Sequence, residues 1–329
     1  MTDPAIVVDL IEAFRRSKCM FTAASMGVFD RVPATLADLT RQLSANADAL
    51  ERLLCGCVSL GLLQRDGDLF RNTEVAEAYL TSSSPDSLVG YVTYSDRVLY
   101  DLWGNLMSAV KEGTHRWKQT YDLEGPLFSH FFRNDGSRLE FMRAMHGFGM
   151  SSSPKVVEAF DLSGFRRLVD LGGATGHLPM AAGARHPMMR LAVFDLAAVI
   201  ADARQFVNER VELIAGDFFT DPLPPADLYT VGRILHDWSE EKIEALLRKI
   251  SEALPAGGAL LIAEKLLWHD KSGPVPACMQ SLNMLCCTEG KERTLAEYEA
   301  LLRSAGFSSV EGKFTGAALD AILARKALS

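Results

Sequence analysis

The stretch that most constrains this chain is Arg166–Leu178, RRLVDLGGATGHL, where a short apolar run ends in an acid and passes through a glycine cluster into a helical pattern. That order predicts a strand, a tight turn and a helix start. Gly172, Gly173 and Gly176 let the backbone turn sharply and keep side chains out of the space that the free N–H groups of the following helix face. Such a loop suits a nucleotide-like cofactor, although glycine-rich loops also serve NAD, FAD and phosphates. From Arg166 onward, candidate strands alternate with helices. Arg167–Leu171, Leu191–Phe194, Val211–Ile214, Leu228–Val231 and Ala259–Ala263 are the strands, and Glu240–Leu254 is the clearest helix. The expectation is an α/β fold with a doubly wound, mostly parallel, Rossmann-like sheet, whose ligand sites lie at the carboxyl ends of the strands.

The chain ahead of this sheet reads differently. Residues 5–29 have helical apolar spacing, and from Ala34 the order is a short helix (Leu36–Leu43), a turn at Asn46, a longer helix (Asp48–Leu60) and a hairpin around Asp66 and Gly67. This is a winged-helix pattern. A DNA-reading helix presents Arg, Lys, Asn or Gln to bases and phosphates, whereas Asp48–Leu60 offers Arg52 as its one cation against Asp48 and Glu51. Its Leu50, Leu53, Leu54, Val58 and Leu60 call for an apolar partner, which favours dimerisation over nucleic acid. The expected division is a winged-helix-like dimerisation domain over residues 1–105 and a catalytic domain over 106–329, with 106–160 as a helical, aromatic-rich linker and substrate lid. A formal charge of -8 argues against nucleic acid or an anionic membrane surface, which select basic patches, as the main partner. The six cysteines show no C-x-x-C pair, and no uncharged run approaches the ~18 residues of a membrane span. A cytoplasmic protein with reduced thiols is expected.

Each candidate strand stops at a polar residue. Asp170 ends the first and Asp195 the second, while Gly216, Asp217 and Phe218 follow the third; His236, Asp237 and Trp238 follow the fourth, and Glu264 ends the fifth. Asp195 comes 19 residues after Gly176, where a carboxylate meets a ribose diol. NAD and S-adenosylmethionine share that need. They differ in charge: an acid at Asp170 repels a pyrophosphate but suits the sulfonium and ammonium of S-adenosylmethionine, and the loop lacks the G-x-G-x-x-G spacing of dinucleotide binders. Asp217 and Phe218 offer an acceptor and a face to an adenine, and Trp238 is a further stacking candidate.

Methyl transfer from a sulfonium is an in-line displacement that needs a deprotonated nucleophile. Moving a proton from a phenol (pKa ~10) to an imidazole (pKa ~6.5) is uphill by roughly 3.5 units, or about 4.8 kcal/mol. The base must therefore take the proton as the new bond forms, with a carboxylate to stabilise the imidazolium. His236 is the candidate base, and Glu264 or Glu292 the candidate carboxylate. The other six histidines are read as structural.

The runs VDLGGATG, FDL (Phe194–Leu196), GDFF (Gly216–Phe219), HDWS (His236–Ser239), AEKLL (Ala263–Leu267) and GKERT (Gly290–Thr294) resemble the small-molecule O-methyltransferases of the caffeate type. SLNML (Ser281–Leu285), DPLPPADLY (Asp221–Tyr229) and DAILARK (Asp320–Lys326) are similar to the acetylserotonin O-methyltransferase branch and its like-proteins. The resemblance runs from about Phe21 to Lys326. It implies a homodimer with intertwined winged-helix domains, S-adenosylmethionine as methyl donor, a small phenolic or hydroxyindole-like acceptor and a mechanism without metal. It also implies His236 as general base flanked by Glu264 and Glu292, and cofactor contacts at Asp195, Asp217, Phe218 and Arg233. Substrate contacts are implied at Asp237 and Asn283, with Phe132 standing where the family has a tyrosine. Three departures stand out besides Phe132. Ala174 replaces a glycine, which is harmless where φ stays negative; Gly149 replaces a tryptophan that packs near the cofactor; and Cys287 replaces a glutamine that contacts substrate. These changes leave open a second reading, a methyltransferase-fold binding or regulatory protein without catalysis.

Overall fold

A computed structural model describes residues 3–328. The chain divides into two compact units, one up to Tyr100 and the other from Asp101 onward.

In the first unit, one helix, Ala5–Ser25, precedes the winged-helix elements. Helix Leu36–Leu43 starts at Thr35, whose hydroxyl accepts from the Asp38 N–H, and helix Ala47–Ser59 starts at Asn46, whose side chain accepts from the Ala49 N–H. The wing is a small antiparallel sheet of β1 (Ala34–Thr35), β2 (Leu63–Asp66) and β3 (Leu69–Asn72) in the order β1-β3-β2. Leu50 and Leu54 were expected to seek an outside partner. Instead they are buried in this unit's own core with Leu39, Cys57, Leu63 and Phe70. Arg52, the lone cation expected on that helix, is paired with Asp48 at 2.6 Å. The apolar surface left over lies on the first helix, where Ile6, Leu10, Ile11 and Phe14 are each more than half exposed.

The second unit is a seven-stranded sheet in the order β6-β5-β4-β7-β8-β10-β9. Its strands are β4 (Arg167–Leu171), β5 (Arg190–Asp195), β6 (Val211–Ala215), β7 (Leu228–Gly232), β8 (Ala259–Glu264), β9 (Ser309–Lys313) and β10 (Asp320–Arg325). β4 to β8 run parallel, and β10 lies antiparallel between β8 and β9. The last two strands were not expected, and β10 is an apolar run (AILA) that reads equally well as buried helix. Side chains alternate into two cores: Val169, Leu171, Val231, Leu260 and Ile262 enter one, and Leu168, Leu228, Ala259, Leu261 and Ala263 the other. The order reverses at β4 and β7, so the crevice beyond their carboxyl ends is the topological switch point where such sheets bind ligands.

Ahead of the sheet stand helices Leu106–Glu112, Trp117–Tyr121, Leu127–Phe131 and Asp135–Glu158. The expected helical stretch over 106–160 is thus divided into separate helices, one break falling at Phe132. Asn134 caps the second part by exchanging bonds with Ser137. Among the described residues no helix is long and apolar enough to cross a membrane.

Candidate active site

The glycine turn follows β4 directly. Asp170 is fully buried and its Oδ1 accepts the Thr230 hydroxyl at 2.5 Å from the neighbouring β7, while Oδ2 has no partner. A Cβ on Gly173 would fall 2.4 Å from that Oδ2, so only glycine admits the carboxylate here. Burial pushes Asp170 up to about 7, with the Thr230 hydrogen bond acting against it and Asp195 adding to it. Asp195, at the end of β5, accepts the Ala174 N–H at 2.9 Å and the Leu196 N–H at 2.7 Å, one on each oxygen, and burial raises it to about 6. Each oxygen keeps a lone pair for a donor such as a ribose hydroxyl. The orphaned Asp170 oxygen beside a bare glycine backbone fits a cationic group, and it does not fit a phosphate.

Ala174 does not keep the negative φ on which its harmlessness rested. Its φ is +42°, in the left-handed region, because its N–H must turn toward Asp195.

Phe218 sits against the loop, 3.2 Å from where a Gly172 Cβ would lie, and Asp217 Oδ1 accepts the Phe219 N–H at 2.8 Å. The Trp238 ring lies 5.0 Å from Phe219, edge to face, and 5.4 Å from Phe128. Its indole N–H is buried and unpartnered. These residues form the aromatic side of the crevice. Phe132 packs near Ala174, Met142, Val199 and Phe206, and its ring centroid lies 5.5 Å from that of Phe128. Gly149 faces His177, whose ring atoms would come within 2.2–2.5 Å of a Cβ there, and whose Nδ1 lies 2.8 Å from Ser153 Oγ. The imidazole thus takes the space next to Gly149, a packing role in keeping with the structural reading of His177. A glycine where a bulky ring was expected was the available signal.

At the end of β7 the chain turns through Arg233, itself left-handed at φ +57°, into a single helical turn, Leu235–Asp237. Glu264, at the end of β8, organises this turn: its Oε1 accepts the N–H groups of Ile234 (3.0 Å), Leu235 (3.0 Å) and His236 (3.4 Å). His236 is buried, and its Nδ1 lies 2.6 Å from Glu292 Oε1 and 3.2 Å from Glu264 Oε2. Its Nε2 has no hydrogen bond among the described residues and lies 3.6 Å from Asp237 Oδ1. Burial raises Asp237 to about 7 and Glu292 to about 8, and raises Glu264 as well, against the pull of Arg233 and His236. The Arg233 guanidinium lies 4.5 Å from the Phe148 ring centroid.

One nitrogen and two carboxylates here converge within 4.8 Å, the single such group among the described residues. The 2.6 Å contact is a hydrogen-bond length, shorter than two ligands at ~2.1 Å from one ion usually allow. The arrangement is an imidazole oriented at one nitrogen and open at the other.

The remaining expected contact, Asn283, lies on helix Val275–Cys287 beside Cys287. The Glu289 N–H just beyond that helix donates to the Asp237 carbonyl at 3.1 Å, which ties it to the His236 turn. The structure therefore brings together His236, Asp237, Glu264, Glu292 and Arg233 at one end of the switch point. Asp170, Gly172, Gly173 and Asp195 gather at the other, with Gly216, Asp217, Phe218 and Trp238 along its aromatic side.

Comparison with known proteins gives a consistent result. A profile for the O-methyltransferase domain matches residues 103–308, and one for the O-methyltransferase dimerisation domain matches residues 8–82. Acetylserotonin O-methyltransferase of Macaca mulatta is 41% identical over 95% of both chains. The crystal structure of human N-acetylserotonin methyltransferase in complex with SAM superposes with a TM-score of 0.95 at 40% identity, covering 99% of each chain. PigF with SAH superposes with a TM-score of 0.88 at 29% identity, covering 99% of this chain and 100% of that one.

Two outcomes follow from the buried acids and the strained turn. Asp170, Asp237 and Glu292 bind protons more tightly folded than unfolded, so the stability they contribute is lost as pH rises through about 7 to 8. Calorimetric melting of the ligand-free protein is expected to shift downward from about pH 6.5 to 8.5, above the range where the burial-depressed His115, His130 and His146 titrate; a flat or rising profile contradicts the protonated acids. Ala174→Gly is expected to raise the urea unfolding free energy by up to about 1 kcal/mol, strain relief being partly offset by the freer unfolded chain.

Proposed function

The chain belongs to the O-methyltransferase family that joins a dimerisation domain to a catalytic domain, and on that premise we propose how its residues carry out methyl transfer and to what. It is an S-adenosylmethionine-dependent O-methyltransferase. The cofactor supplies an activated methyl group on a positively charged sulfur. Asp170, with its orphaned oxygen, balances the positive charge; Asp195 takes the ribose hydroxyls; and Asp217, Phe218 and Trp238 form the base pocket. Gly172, Gly173 and Gly216 keep the backbone close, and Arg233 holds the remaining end of the cofactor site.

The observation that carries the mechanism is the contact between His236 Nδ1 and Glu292 at 2.6 Å. Once Glu292 is ionised, above about 8 in the ligand-free site, its oxygen accepts the Nδ1 proton and leaves the Nε2 lone pair to accept a proton from the acceptor hydroxyl. Glu292, seconded by Glu264, then stabilises the imidazolium, and this offsets the ~3.5 pKa units that separate a phenol from imidazole. No metal is needed to lower the hydroxyl's pKa. The acceptor is a small aromatic hydroxyl compound, phenolic or hydroxyindole-like, held by Asp237 and Asn283. The relatives named for acetylserotonin support that class. Intact geometry at His236 disfavours the alternative of a regulator without catalysis.

We further propose a homodimer built on the first helix, whose exposed Ile6, Leu10, Ile11 and Phe14 need a cover in water. The reading includes the cytoplasm, supported by six cysteines that are all free.

Labelled-methyl transfer to a panel of phenols, catechols and hydroxyindoles tests the activity. His236→Ala is expected to lower kcat by ~100-fold or more with cofactor affinity nearly unchanged by calorimetry, and Glu292→Gln to lower it less; a His236 variant as fast as the parent removes the base. Leu10→Glu together with Phe14→Glu is expected to shift the sedimentation coefficient from dimer to monomer, and an unchanged value moves the interface elsewhere.

A further inference from the structure

We propose that Trp103 sets the polarity of the acceptor pocket: it holds the Asn283 amide with its oxygen turned away, so that Asn283 offers the methyl acceptor an NH2 donor and selects acceptors bearing a carbonyl-type oxygen. This deepens the proposed function and rests on it.

The Trp103 indole N–H lies 2.8 Å from Asn283 Oδ1. An indole nitrogen only donates, so the atom facing it must be the amide oxygen. The flipped amide would press two donors together at hydrogen-bond distance. Cys287 Sγ lies 3.7 Å from the same oxygen, and its thiol is a second donor. Both lone pairs of Oδ1 are thereby occupied, and Nδ2 has no hydrogen bond among the described residues. Asn283 is half-buried, so that NH2 group lacks full hydration and gains from an acceptor partner.

The placement is right for substrate. Asn283 and Cys287 stand one turn apart on the same face of helix Val275–Cys287. Cys287 is raised well above the usual thiol range, first by burial and further by Cys286 and by Asp237, the residue next to His236. Two residues past Cys287, the Glu289 N–H donates to the Asp237 carbonyl at 3.1 Å, so this end of the helix borders the His236 turn. A thiol at 287 supplies no amide donor, so on this face the amide donor is Asn283. Trp103 acts through Asn283 and is a positioning residue.

The test uses the full-length enzyme with 4-(3-oxobutyl)phenol and 4-butylphenol, which have nearly equal phenolic acidity and differ by one carbonyl insulated from the ring. The parent is expected to favour the ketone by about tenfold in kcat/KM, the scale of one hydrogen bond. Trp103→Phe should bring the ratio to about one by raising KM for the ketone, with kcat, butylphenol kinetics and KM for S-adenosylmethionine nearly unchanged, and Asn283→Ala should bring the ratio to about one as well. A parent that methylates both phenols without preference overturns this inference alone. So do variants that slow both phenols equally, as a structural role would, or that keep the parent's ratio while melting like the parent. A parent that methylates no phenol removes the underlying function instead.

Discussion

The His236 end of the crevice hangs on one buried carboxylate. Glu264 spends a single oxygen on three consecutive backbone N–H groups, those of Ile234, Leu235 and His236, and so converts the end of β7 into a rigid turn. Unpaired N–H groups in this buried position would each carry a substantial desolvation cost. Collecting them on one charged acceptor both satisfies them and fixes the base of the His236 side chain. The second oxygen of Glu264 then joins Glu292 around Nδ1, so the group that shapes the backbone also tunes the imidazole.

The opposite end of the switch point is built on a different imbalance. Asp170 and Asp195 are buried without a cation beside either, and Asp170 keeps an unused oxygen. A protein rarely keeps such an acid dry unless a ligand completes it. The two ends answer each other: acids short of positive charge on β4 and β5, and an imidazole held at Nδ1 and open at Nε2 after β7. A methyl group leaving a cationic sulfur for an oxygen that is losing its proton requires this pairing. Two of the left-handed non-glycine residues, Ala174 and Arg233, lie here and aim the two loops.

Much of this was legible in the chain itself. The run VDLGG predicted β4 and its turn, HDWS the turn after β7, and the cation-poor, leucine-rich helix at Ala47–Ser59 argued against DNA. What escaped depended on neighbours distant in sequence. The leucines of that helix looked like an interface and turned out to serve their own unit's core, because periodicity reports that a face is buried without saying by what. The interrupted helix at Phe132 and the antiparallel strands β9 and β10 were missed for the same reason, since short apolar runs read alike in helix and strand.

The sequence by itself determined the element types, the parallel sheet and the residues at the strand ends, because turn glycines, alternating apolar runs and polar stops are local signals. Only the tertiary structure decided which nitrogen of His236 is held, which oxygen of Asp170 is left over, and that Trp103 reaches Asn283 across 180 residues. Those outcomes are hydrogen bonds between groups far apart in the chain. Their geometry is set by packing, which no local pattern encodes.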